Sequence, residues 1–270
     1  MPEHIVSAVG TISLAVAAGF AIAATLRRRT ERSLPSLVAA AVAVLINLMA
    51  LGTSAAQKGT VDTLRQGYAS GLVLATMLAL MGLFGRQIPA MRGLDGILFV
   101  LAAFVEFGTF LQIGRPGVDV AYKSWFVTHQ FAFAISAACF AASGAAGGAY
   151  LMLYRLLRRK RGLALLGRFA SLEALERFGR RMLLIGFPCL TYGVLSGFCQ
   201  LSRRPNPGDW LLDPFILTIL TLWVVYATAV LLVWLRPSMR GPRAATLAAA
   251  SLGLLIIAFV VLDRVSTLHR

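Results

Sequence analysis

Acidic residues are scarce in this chain. There are eleven Asp and Glu among 270 residues, and charged residues of both signs make up only 14%. A soluble domain carries roughly 25%, so a fold with water on all sides is excluded. Period-two alternation of apolar and polar residues is missing, which excludes a membrane β-barrel. Cysteine is limited to Cys139, Cys189 and Cys199, an odd number without a Cys-x-x-Cys pair. Thioredoxin-like exchange and cofactor attachment through paired thiols are therefore unsupported, and the three read as small packing residues. No phosphate loop, metal-hydrolase spacing or nucleophile with its base is visible, so an enzyme in its own right is not indicated. The absence of an internal repeat weighs against an inverted-repeat transporter.

What is present is apolar. Hydrophobic residues make up 58% of the chain, and the mean hydropathy is +0.77. Eight stretches approach the roughly 20 helical residues that a bilayer core requires. They run about 4–25, 34–54, 68–85, 94–113, 126–154, 182–201, 212–235 and 244–263. The expected fold is all-α: a polytopic membrane bundle of about eight helices, forming a single domain over 1–270. Gly144, Gly147 and Gly148 fall within the fifth stretch and read as small residues for helix packing.

The net charge of +15 is unevenly placed. With the N-terminus outside, 18 of the 26 basic residues fall in inner loops. These are Arg27 to Arg32, Arg86 and Arg92, the block from Arg155 to Arg181, and Arg236 to Arg243. This asymmetry predicts an N-out, C-out chain in a bacterial-type cytoplasmic membrane, with the basic loops against anionic headgroups. Nucleic acid is not needed to explain the charge. The first stretch lacks a basic segment before it and is followed by Arg27 to Arg29, so it reads as a retained helix, not a signal peptide. Within the basic block, 162–178 has near-helical apolar spacing and is expected to lie on the inner surface as an amphipathic helix. The outer loop 55–67 reads as a plain polar connection, and Cys199 falls near the outer face.

Polar residues out of keeping with this pattern gather at the outer end. His129 lies about one turn into the fifth stretch, and His269 follows the eighth; His4 is also outside but lacks distinctive neighbours. The loop 202–211 carries Arg203, Arg204 and Trp210, and its two prolines and glycine turn and stiffen the chain. Imidazole is a common ligand of haem iron. A porphyrin also needs a flat apolar shelf, for which Trp210 and Trp125 are placed, and cations for its propionates, for which Arg203, Arg204 and Arg115 are placed. The same Trp and Arg residues also suit an aromatic belt and snorkelling. Asp213 before Pro214 has the arrangement of a helix N-cap, and alternatively of a group orienting a ligand histidine. Glu106 is a carboxylate deep in a span, where ionisable groups are costly. It marks a proton or quinone path, or it is protonated and bonded to a neighbouring helix.

Several runs carry a resemblance. The segment from Ser171 to Gly197, ending Thr191-Tyr-Gly-Val-Leu-Ser-Gly197, and the run Trp125-Phe-Val-Thr-His129 resemble parts of the cytochrome c assembly proteins of the CcsA, CcmC and HemX-like type. Trp210-Leu-Leu-Asp213-Pro214, followed by Trp223-Val-Val-Tyr226, resembles their tryptophan-rich WWD signature, and Leu268-His269 their last external histidine. The likeness covers about 120–270. It implies a non-covalent b-type haem with His129 and His269 as axial ligands, and membrane-protein or cytochrome c assembly partners. Leu212, Phe215 and Ile216 stand where the signature has Trp, Lys and Glu. Leu231 stands where full-length members place a histidine within the membrane, so a haem conduit across the bilayer is not implied. A degenerate member acting as a structural or regulatory subunit without a cofactor is the alternative.

Overall fold

The computed structural model describes residues 3–26, 34–113, 123–160, 169–201, 213–235 and 241–268. Within them the chain is all helix. In order these are α1 (Glu3–Leu26), α2 (Leu34–Lys58), the short α3 (Thr60–Leu64), α4 (Gly67–Gly85), α5 (Asp95–Phe110), α6 (Lys123–Arg158), α7 (Leu172–Leu201), α8 (Pro214–Leu235) and α9 (Pro242–Leu268). Among the described residues six helices are long and apolar enough to cross a membrane. The other two expected spans fall on α5 and α9. α5 has 16 residues, about 24 Å of helix, which is short of a full hydrocarbon core of about 30 Å. The chain is a polytopic membrane helix bundle.

Its arrangement is two groups of helices back to back. α1 packs on α2 and α5, and α4 on α5 and α2; α6 packs on α7 and α9, and α8 on both α7 and α9. α6 joins the groups through α4 and α5. It is also the best-enclosed span: 72% of its apolar window is buried, against 33% for α1. Its composition explains this, because Ala137-Ala-Cys-Phe-Ala-Ala-Ser-Gly-Ala-Ala-Gly147 offers little side-chain bulk, and neighbouring backbones can come close. The outward faces of α1 and α2 instead carry Ile12, Leu45, Leu48 and Met49, all exposed, as lipid-facing surface requires.

The α6–α7 seam follows a seven-residue repeat. His129, Ser136 and Ser143 descend α6 at this spacing and Gly193, Gly186 and Gly179 ascend α7, with His129 bonded to Gly193 and Ser143 to Gly179. The Ser143 hydroxyl donates to Gly179 O at 2.9 Å. A β-carbon on Gly186 would stand 2.9 Å from Cys139 Cβ and from the Phe140 ring, and one on Gly193 3.0 Å from the Phe133 ring. Closeness of approach thus requires glycine at 186 and 193, whereas a β-carbon on Gly179 would meet its nearest neighbour, Ser143 O, at an ordinary 3.5 Å. Gly144 and Gly147 are likewise required against α9, where Ala245 O lies 2.6 Å from a Gly147 β-carbon position. Gly148 does not share this role: nothing lies within 4 Å of it.

Two other expectations are revised. Of the amphipathic surface helix expected over 162–178, the described part belongs to the bundle instead. Residues 161–168 lie outside the described part, and 172–178 form the first turns of the 30-residue α7. Leu175 and Phe178 there are buried in the core, which ties this stretch to the bundle. The plain polar loop 55–67 is instead the end of α2 followed by α3, with Thr63 donating to Ser54 Oγ at 3.2 Å. Leu64 packs with Tyr68 and Phe126, so α3 caps one end of the bundle beside the start of α6.

The opposite end is held by Arg86. Its Nε donates to Asp95 Oδ2 at 2.8 Å, an Nη donates to Ser36 Oγ, and the guanidinium sits over Phe99. Ala170 N–H donates to Arg92 O at 3.1 Å, fastening the segment before α7 to the same end.

Candidate functional site

α6 starts at Lys123, so Trp125 and His129 are one turn apart near its first end and share a face. Trp125 is 48% exposed, with its ring on the outside of the bundle. His129 turns towards α7 and is half-buried. Its Nδ1 lies 2.8 Å from Gly193 O and 3.0 Å from Ser196 Oγ. A carbonyl oxygen only accepts, so Nδ1 carries the proton and donates. The Ser196 hydroxyl itself donates to Gly193 O at 3.0 Å, which leaves its lone pairs towards the imidazole. In the neutral ring, Nε2 is then a bare lone pair.

Packing fixes the ring as well as its tautomer. Phe133, one turn further along α6, meets His129 edge-to-face with centroids 4.8 Å apart. A β-carbon on Gly197 would stand 3.0 Å from His129 Cε1. Gly193 and Gly197 are therefore a pair four residues apart that lets an imidazole and a phenyl ring lie between two helices. Tyr192 OH donates to Thr128 Oγ1 at 2.9 Å, a second tie between α6 and α7 beside His129.

Deeper along α7 and α8 the polar atoms of Trp223 and Tyr226 are paired and their rings are stacked. Trp223 Nε1 donates to Thr191 Oγ1 at 3.0 Å, and its ring stacks on Phe187. Tyr226 is fully buried, stacks on Phe140 at 3.6 Å and donates to Ser251 O. A cavity lined by Ser143, Tyr150, Glu176 and Arg180 measures about 30 Å³. That accommodates one water, whereas ligand pockets run to roughly 300 Å³ or more. This cavity is therefore far too small for a porphyrin.

The other expected site residues are distributed as follows. Asp213 directly precedes Pro214 at the first position of α8, and Leu217 N–H donates to Asp213 O at 3.0 Å as the helix begins. Trp210, His269, Arg203, Arg204 and Arg115 lie outside the described residues. Leu231 is 50% exposed on the outer surface of α8, so this position of the helix faces away from the bundle interior. The described residues contain no cluster of three or more His, Cys, Asp or Glu able to hold a metal ion. Sequence reasoning missed Ser196, Gly193, Gly197 and Phe133. The match of the two seven-residue repeats is a signal for Gly193, which it pairs with His129.

These features define a multi-pass membrane protein whose half-buried histidine is held in one tautomer between two close-packed helices. The family described as Cytochrome C assembly protein matches residues 3–269, and the chain belongs to it. The match takes in α1 to α5, which the likeness in sequence did not reach. It makes this a membrane protein of cytochrome c biogenesis. No curated protein and no solved structure matches the chain.

Proposed function

We propose that the protein holds haem non-covalently at the outer face of a bacterial-type cytoplasmic membrane and passes it to a cytochrome c assembly partner. The observation that carries this reading is the His129 imidazole: Nδ1 is committed to Gly193 O and Nε2 is left bare. A ligand histidine is normally oriented in this way, because a hydrogen bond from the far nitrogen fixes the tautomer and makes the near one more basic. Haem supplies the iron centre and is itself the cargo. His129 is one axial ligand in this reading, and His269 is the other. Trp125, exposed one turn away on the same face, and Trp210 supply apolar surface for the porphyrin plane. Arg203, Arg204 and Arg115 take the propionates, and Asp213 orients a ligand or caps α8. Leu231, apolar and facing outward, supports an outer site over a route through the membrane.

The test is the visible absorption spectrum of the detergent-purified protein, oxidised and reduced, beside His129→Ala and His269→Ala. A Soret band in the parent that shifts or vanishes in both variants is the expected result. A parent that stays colourless after haem is added would overturn the proposal and favour a structural or regulatory subunit that has kept the family's scaffold. A band that survives His129→Ala would remove His129 from the ligand set.

A further inference from the structure

The α1–α2–α5 interface contains a group for which haem handling has no use. Glu106 on α5 and Asn47 on α2 are both 0% exposed, with Ser7 on α1 and Thr109 on α5 buried beside them. Asn47 Nδ2 donates to Glu106 Oε2 at 3.2 Å. Ser7 Oγ donates to Glu106 O at 3.3 Å and lies 3.3 Å from Thr109 Oγ1, which donates to the same carbonyl at 2.6 Å. The remaining carboxyl oxygen, Oε1, and the remaining amide oxygen, Asn47 Oδ1, have no partner among the described residues. Both converge on Gly10 of α1. Oε1 occupies the space that a β-carbon there would fill, and Oδ1 lies 3.1 Å from the same point.

The chemistry of the pair determines what satisfies it. A primary amide presents one acceptor and one pair of N–H donors, whereas a carboxylate presents two acceptors and no donor. Set face to face, the two always leave one oxygen opposing another if the acid is ionised, whichever way the amide is turned. A neutral acid removes the conflict: its O–H donates to Oδ1 while Nδ2–H donates to Oε2, so both orphaned oxygens gain a partner. The alternative, an anion in a membrane-buried site without a cation, carries a large desolvation cost. No Lys or Arg side chain is bonded to this carboxyl among the described residues.

We propose that Glu106, Asn47 and Gly10 form a proton-binding site. The carboxylic acid and the amide close a reciprocal pair between α5 and α2, and α1 passes over the pair at a glycine. The bound proton is part of the packing: it joins the helices on either side of α1 through two hydrogen bonds where the ionised form offers one. Gly10 belongs to the site because any side chain there would displace Oε1.

The experiment is infrared spectroscopy of the full chain in lipid nanodiscs at neutral pH, with Glu106→Gln and Asn47→Leu alongside. The expected result is a carboxylic-acid carbonyl band in the parent that is lost in Glu106→Gln. In Asn47→Leu, where its hydrogen-bond partner is gone, the band moves to higher frequency. Thermal unfolding gives a second readout. Glu106→Gln replaces the acid O–H with an amide N–H donor, so it melts with the parent, while Glu106→Leu melts well below it. Carboxylate bands in place of the acid band in the parent-minus-Glu106→Gln difference would overturn the proposal. So would a melting temperature that rises with sodium in the parent but not in Glu106→Gln, since the site would then hold a cation.

Discussion

At the scale of single residues, His129 and Arg86 show how much depends on one neighbour. His129 keeps its orientation because Gly193 lends a carbonyl and Gly197 withholds a side chain. Gly197→Val should push the ring off Gly193 O, since a β-carbon alone stands 3.0 Å from Cε1. The expected outcome is loss of most of the haem absorbance relative to the parent, with Gly148→Ala, at a position with open space around it, unchanged. Ser196→Ala removes only one member of the shared hydrogen bond. It should leave haem bound and lower stability by about 1 kcal/mol, read by chemical denaturation in mixed micelles. Arg86 is a different case, because its ion pair with Asp95 is largely buried, the two side chains being 9% and 16% exposed. Arg86→Leu strands the Asp95 carboxylate and should cost about 3 kcal/mol or more. The double change Arg86→Leu with Asp95→Leu should recover much of that loss, as measured by thermal unfolding of the three proteins.

Among elements, the α6–α7 seam is the joint on which the site is built. Two helices in a membrane gain little from hiding apolar surface from lipid, so their association rests on close packing and hydrogen bonds between them. Here both come from the same repeat: Gly193 and Gly179 accept from His129 and Ser143, and Gly186 lies close against Cys139 and Phe140. Gly186→Leu inserts a side chain where the Phe140 ring is already 2.9 Å from a β-carbon position. It should destabilise the protein by about 1–3 kcal/mol and disturb His129 two turns away. Gly19→Leu, at a position with nothing within 4 Å, should be silent in the same denaturation assay. The expected helix positions were legible because a long apolar run in a bilayer has few alternatives to a helix. The beginnings of α7 and the nature of 55–67 were not. Leu175, Phe178 and Leu64 are buried by other helices, and periodicity alone does not distinguish a core-facing stripe from a membrane-surface one.

For the whole molecule, the charge asymmetry predicts an N-out orientation, and a direct test checks it. In a cysteine-free background, a membrane-impermeant maleimide should label Asp62→Cys in intact cells and Lys160→Cys only after permeabilisation. Labelling in the reverse order would put His129 on the inner side and overturn the outer haem site. The sequence by itself determined the class of fold, the approximate limits of the apolar helices, and where the basic residues are concentrated along the chain. These depend on local composition and on the bilayer's need for internally bonded backbone, and neither requires knowledge of which helix touches which. It also picked out His129 and Glu106 as residues out of place in apolar surroundings. Only the tertiary structure decided what they touch. The His129 tautomer depends on a carbonyl 64 residues away in sequence, and the acceptor conflict at Glu106 depends on an amide 59 residues away. Hydrogen bonds of this kind are fixed by how close two backbones come, and that distance is set by glycines whose purpose becomes visible only when the helices are side by side.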